Sequence, residues 1–166
     1  MKIELLDLVF HSEHFYIEQK SIVEQITFNN RTFYSKFEKI DSNLNAILLE
    51  QHHKHQIILA VPLVETDFVN YIVIEYQQDD WNNFYSLVKH LLKSLDIKNF
   101  QAYRNTHKKR LQLFILREKT KLDDAYKEVE NIKHLLQLKS KKSYKIYPNK
   151  NLPKNFNIIT LPTQKI

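Results

Sequence analysis

The chain has 166 residues, no cysteine, no glycine and a formal net charge of +6 at pH 7, a size that suits one domain with a substantial core. Without cysteine there can be no disulfide, thiolate zinc site or cysteine nucleophile. Without glycine there can be no Walker or Rossmann phosphate loop, since both need backbone that approaches phosphate closely.

The charge is uneven. Residues 1–97 carry 8 Lys and Arg against 14 Asp and Glu, a balance of −6, whereas residues 98–166 carry 17 against 5, a balance of +12. A basic half suits a polyanion or an acidic partner, or simply a lysine-rich solvated surface. No run is long and apolar enough to span a bilayer, and Met1-Lys2-Ile3-Glu4 does not open a signal peptide. A cytoplasmic chain without membrane contact is expected.

In chain order, residues 3–10 read as a first helix or an edge segment. Phe15-Tyr16-Ile17 and residues 22–28 suit strands, and Asn29-Asn30 turns the second toward Thr32, Phe33, Tyr34 and Phe37 as a hairpin. Asp41 or Ser42 is expected to cap a short helix bearing Leu44, Ile47, Leu48 and Leu49. Residues 57–61 form an apolar strand ended by Pro62, and 64–70 link it to its expected antiparallel neighbour, the strand 71–76.

From 71 to 147 the order reads strand, helix, strand, strand, helix, strand. Tyr71-Ile72-Val73-Ile74-Glu75-Tyr76 is β-branched and aromatic. Asp79-Asp80 offers an N-cap, and Trp81, Phe84, Val88, Leu91, Leu92 and Leu95 recur at helical spacing. Residues 100–104 and 111–116 are strands around a polar turn. Thr120 and Asp123 have capping-box form before a helix with Ala125, Tyr126, Val129, Ile132 and Leu136 on one face. Residues 144–147 form a strand stopped by Pro148, and 156–161 a further one. The expectation is an α+β fold with a ferredoxin- or RRM-like βαββαβ core, residues 1–56 packing on a core of 57–162 within a single domain.

Period-two alternation places Ile72, Ile74 and Tyr76 with Leu111, Leu113 and Ile115 under the helices. Glu75, Gln77, Gln112, Phe114 and Arg110 then fall on the opposite face, where Tyr71 and Phe114 would stack bases unless other strands cover them. Arg104, Lys108, Lys109 and Arg110 in the hairpin turn, and Lys141, Lys142 and Lys145 before the fourth core strand, are nucleic-acid contact candidates beside Tyr103, Tyr144 and Tyr147. His52, His53 and His55 suit a solvated helix end better than a metal site, and His11 and His14 carry only a weak i, i+3 signal.

The layout resembles the archaeo-eukaryotic primase-polymerase (prim-pol) superfamily, and a small bacterial family of uncharacterised, degenerate relatives. The likeness spans residues 57–162. It rests on Ile74-Glu75-Tyr76-Gln77, on Leu111-Gln112-Leu113-Phe114-Ile115, and on Ile146-Tyr147-Pro148 with Asn157-Ile158-Ile159-Thr160-Leu161-Pro162. The resemblance implies two acidic metal ligands at the end of the first strand, a phosphate-binding histidine on the second motif strand, and a third acidic residue near the strand after the second helix. Here Glu75 fits the first position, but Gln77 and Gln112 replace the second acid and the histidine, and 144–147 supplies no acid. The resemblance therefore implies the fold while arguing against catalysis. No cofactor is expected, and any weak divalent metal would sit at Glu75. The first expectation is non-catalytic binding of single-stranded nucleic acid or nucleotide. The second is a module for an acidic protein partner. A residual metal-dependent nucleotidyl-transfer enzyme comes third.

Overall fold

A computed structural model describes residues 2–166 as an α+β fold of three helices and several antiparallel sheets. Residues 3–10 are not helical. They belong to a hairpin, β1 (Lys2–Leu5) and β2 (Leu8–His11), in which Ile3 and Phe10 oppose each other and both are buried. Leu6 and Asp7 turn it with φ of 50° and 70°, the twist that two-residue hairpin loops require.

β3 (Phe15–Glu18) precedes a second hairpin, β4 (Glu24–Phe28) and β5 (Arg31–Ser35), turned by Asn29 and Asn30 at φ 50° and 61° as their tolerance for left-handed backbone predicts. Phe37 lies outside that hairpin, because β6 (Phe37–Ile40) pairs with β3. The cap of α1 (Ala46–His53) is neither Asp41 nor Ser42. Asn45 Oδ1 accepts from the Leu48 amide at 2.9 Å, three residues on, which is the capping distance. Ile47 faces solvent at 68% exposure, while Leu48 and Leu49 pack toward the core.

β7 (Leu59–Pro62) does not pair with the strand after it. It joins β3 in a separate sheet. Residues 64–70 are more than a link: β8 (Val64–Glu65) folds back on β9 (Phe68–Tyr76) through Thr66-Asp67. Thr66 is β-branched and exposed, yet has φ 55°, where a Cβ is penalised. Thr66→Gly is accordingly expected to raise unfolding stability by about 1 kcal/mol in urea melts; a loss of stability would show that the threonine side chain makes compensating contacts.

α2 (Trp81–Ser94) buries Phe84, Val88, Leu91 and Leu92, with Trp81 and Leu95 packed at the margin. Asp80 occupies the N-cap position without capping. Its carboxylate is drawn away by the Tyr76 hydroxyl, at 2.5 Å, and by an ion pair with Lys142. β10 (Phe100–Asn105) and β11 (Arg110–Lys121) form the central hairpin, with β11 running past 116. Its register against β9 shifts between Leu116 and Thr120, where Lys119 has φ 50° and donates its amide to Asn70 Oδ1 at 3.0 Å. Thr120 and Lys121 resume pairing with Val69 and Phe68, so Thr120 is strand, not a capping box. α3 (Leu122–Lys139) instead begins with the Leu122 amide on the Asp67 carbonyl at 2.9 Å. Ala125, Val129, Ile132 and Leu136 are buried, and Tyr126 is half-buried. β12 (Lys145–Tyr147) stops at a cis Tyr147–Pro148 bond. β13 (Ile158–Thr160) and β14 (Gln164–Lys165) follow, the latter unforeseen because two residues carry no period.

The larger sheet runs β12-β9-β11-β10-β14, with β8 beside β9, and every pairing is antiparallel. Its strand–helix–strand–strand–helix–strand run thus lies in the order fourth, first, third, second. The smaller sheet runs β13-β7-β3-β6. α2 and α3 pack on Ile72, Ile74, Tyr76, Leu111, Leu113 and Ile115 on one face of the larger sheet. The other face carries Tyr71, Val73, Tyr103 and Phe114 into a second core with Ile3, Leu8, Phe10, Phe15, Leu59, Val61 and Ile159. Burial on both faces explains why β9 reads as continuous apolar sequence. Among the described residues no helix is long and apolar enough to cross a membrane.

Candidate nucleic-acid interface

The residues singled out on the larger sheet lie in one cross-strand row. Lys145 on β12 opposes Glu75 on β9, which opposes Gln112 on β11, which opposes Tyr103 on β10. Directly opposed antiparallel residues share a face, so Glu75 and Gln112 meet over the second core. Glu75 is 4% exposed and Gln112 is fully buried. Gln112 Nε2 donates to Glu75 Oε2 and to the Thr160 carbonyl, both at 2.8 Å. One nitrogen of Arg110 donates to both Glu75 oxygens at 3.3 Å, and the other reaches Gln77 Oε1 at 3.4 Å. The carboxylate is therefore matched internally. Burial, and next the Glu75 charge, push the Tyr147 hydroxyl far above its ordinary range.

This donor set does not fit a hard divalent cation. It offers one carboxylate, two neutral amides and a guanidinium that occupies the ground a cation would take. Asp80 is engaged by Tyr76 and Lys142, and among the described residues no three His, Asp or Glu side chains are grouped to hold a metal. Over the row opens a shallow cavity of about 280 Å³, lined by Glu75, Gln77, Arg110, Ser143, Tyr144 and Lys145.

The face itself is closed. Phe114 is 2% exposed, with its ring edge-on to Phe10, Tyr71 and Tyr103, and Tyr71 is also buried, its hydroxyl accepting from the Val9 amide. Neither ring is available to a base, because the β1–β2 hairpin and the smaller sheet fill the space where a base would stack. The basic candidates divide in the same way. Arg104 lies on the helix side, its guanidinium carbon 4.5 Å from the Trp81 ring centre. Lys108 is paired with Glu18 at 2.7 Å, Arg110 with Glu75 and Lys142 with Asp80. Lys109, Lys141 and Lys145 are exposed and have no carboxylate partner among the described residues.

The histidines correct a second expectation. His53 and His55 are exposed, but His52 is 1% exposed and ties three segments together. The Leu59 amide donates to His52 Nδ1 at 3.1 Å, which leaves the proton on Nε2 to donate to the Leu161 carbonyl at 2.9 Å. Asn105, also fully buried, donates to the same carbonyl at 3.0 Å. The His107 ring lies between those of His52 and His55, with centres 4.5 and 4.2 Å away, and its Nε2 meets the His52 carbonyl at 2.6 Å. The tilted rings turn these nitrogens to separate partners, His52 and His107 to backbone and His55 to the Thr106 hydroxyl at 2.8 Å, so the trio does not converge on an ion. His11 and His14 find no third ligand among the described residues either; His14 packs edge-on to Tyr16.

Residues 1–70 match a family described as a domain of unknown function (DUF1882). The matched stretch supplies the β1–β2 hairpin, most of the smaller sheet, α1, β8 and the start of β9. No curated protein matches the chain.

Proposed function

We propose that the protein is a non-catalytic nucleic-acid- or nucleotide-binding protein on a degenerate prim-pol fold, with phosphates contacting the rim of the cavity at the end of β9. The carrying observation is a contrast in charge pairing. Glu75 is matched from inside by Arg110 and Gln112, while Lys145 on the rim, with Lys109 and Lys141 one and two residues from the lining residues Arg110 and Ser143, is exposed and, like them, has no carboxylate partner among the described residues. Strand order in the larger sheet and the Glu75, Gln77 and Gln112 positions support the family reading; the missing acids and the internal ion pair support binding without catalysis.

With the aromatic face covered, recognition is electrostatic and tolerant of sequence. Three phosphate contacts on a single strand give a log–log salt slope of about −2, so affinity falls roughly tenfold or more between 50 and 200 mM salt. Fluorescence anisotropy with short single-stranded DNA and RNA at these two concentrations tests this. Lys109→Glu with Lys141→Glu and Lys145→Glu is expected to weaken binding by more than tenfold. Binding indifferent to salt, or to the triple variant, counts against the reading. No binding at low salt would move the acidic-protein-partner reading, which the same lysines serve, into first place.

A further inference from the structure

Outside this site, the other end of α2 carries a second basic feature with a different character. Ser86, Lys89, His90 and Lys93 recur at i, i+3, i+4 and i+7, a spacing that lines one stripe of the helix surface. All four are exposed, beside a core stripe of Phe84, Val88, Leu91 and Leu92. Beyond the helix the chain reverses at Asp96, with φ 57°, and the Ile97 amide is pinned to the Leu92 carbonyl at 2.9 Å. That reversal brings Ile97, Lys98 and Phe100 against the stripe and forms a groove of about 490 Å³.

The groove has a cationic rim and an apolar floor. Lys89, His90, Lys93 and Lys98 stand around it, Ile97 and Phe100 are half-buried beneath, and no carboxylate lines it. Lys89 stacks over Tyr85 at 5.2 Å, and Lys98 has only a long, highly exposed contact with Asp96 at 3.5 Å, which is worth little. The groove also lies at an open sheet edge. β14 pairs with β10 only at Tyr103 and Arg104, so no strand covers Phe100.

We propose that this groove binds an acidic peptide segment of a partner protein, its carboxylates on Lys89, Lys93 and Lys98 and one large apolar side chain on Ile97 and Phe100. The matching is by charge and by floor. Single-stranded nucleic acid matches the rim, but its bases would find only the single half-buried Phe100 ring to stack on and would leave Ile97 unmatched, whereas an acidic peptide with one apolar anchor satisfies rim and floor together. The surface is separate from the rim of the β9 cavity and stands whether or not that rim binds nucleic acid.

The test uses the full chain and a fluorescein-labelled twelve-residue peptide, half glutamate, with adjacent central Leu and Phe. A companion peptide has Ser at both anchor positions. The anchored peptide is expected to bind in a salt-sensitive manner, and the companion at least tenfold more weakly. Lys89→Glu with Lys93→Glu, both exposed, should weaken binding at least tenfold without shifting the melting temperature. Lys141→Glu with Lys145→Glu should leave it unchanged. Equal binding of the two peptides, an unaffected Lys89→Glu/Lys93→Glu variant, or displacement of the peptide by single-stranded DNA of equal charge at equal concentration would each overturn the proposal, the last in favour of nucleic acid.

Discussion

Arg110→Leu is expected to cost about 3 kcal/mol of unfolding stability, because it leaves the Glu75 carboxylate buried with only the Gln112 amide for support. The figure belongs to the orphaned charge and not to the pair, whose long 3.3 Å bonds and 17%-exposed arginine make it modest in itself. The double variant Glu75→Gln/Arg110→Leu is therefore expected to recover most of the loss, since it removes both charges and keeps the volume filled. A double-mutant cycle in urea reads the difference. A loss under 1 kcal/mol for Arg110→Leu alone would mean that water reaches Glu75 and that the site is more open than its burial implies. A carboxylate introduced at Gln77 would meet the same guanidinium, which already reaches the Gln77 amide oxygen at 3.4 Å.

His52→Leu should be about as damaging, roughly 3 kcal/mol. It strands the Leu59 amide in the core and removes one of two donors to the Leu161 carbonyl, and a buried unpaired polar group costs about 1–3 kcal/mol before any packing loss. The wild type should also lose stability in acid. Burial is the largest influence on His52 and lowers it from 6.5 to about 4, with the His107 and His55 rings adding in the same direction. Between those values the unfolded chain takes up a proton that the native ring refuses, so stability is intact above pH 6.5 and declines as pH falls toward 4. The shift corresponds to about 3 kcal/mol at most. His107 moves the same way, chiefly from burial; the His52 carbonyl and the Glu18 carboxylate oppose the shift, and His55 and Lys108 add to it. Urea midpoints measured from pH 7.5 to 4.5 should fall steadily in the wild type and clearly less in His52→Leu. Parallel pH profiles would assign the acid sensitivity to other groups.

Elements that carry their own period are legible in the sequence. Phe84, Val88, Leu91 and Leu92 mark α2, and Ala125, Val129, Ile132 and Leu136 mark α3, because each stripe faces a core on one side only. Alternation along β9 and β11 separates the helix face from the other face residue by residue. What the sequence does not carry is the competition for each polar group. Asp80 has the form of a cap, but Tyr76 and Lys142 claim it; Thr120 has the form of a capping box, but Val69 holds it in a ladder. Long-range pairing is equally hidden. β7 pairs with β3 and not with the following long strand β9, and the 40 residues between β3 and β7 give no local sign of that choice. The candidate site is legible in position, since Glu75, Gln77, Gln112 and Arg110 do converge. Its closure is not, because the β1–β2 hairpin that shuts off Phe114 is specified by residues more than a hundred positions away.

The strands β13 and β14 lie four residues apart and belong to different sheets, one bonded to β7 and the other to β10. That stitch has a consequence for assembly on the ribosome. Residues 1–70 can emerge and collapse, yet the edge of β7 stays bare until residues 158–160 arrive, and β10 waits for 164–165. Contacts of such large sequence separation are slow to form. The nascent chain is therefore expected to depend on shielding of the β7 edge during synthesis, and the two layers should mature together in one late, concerted event.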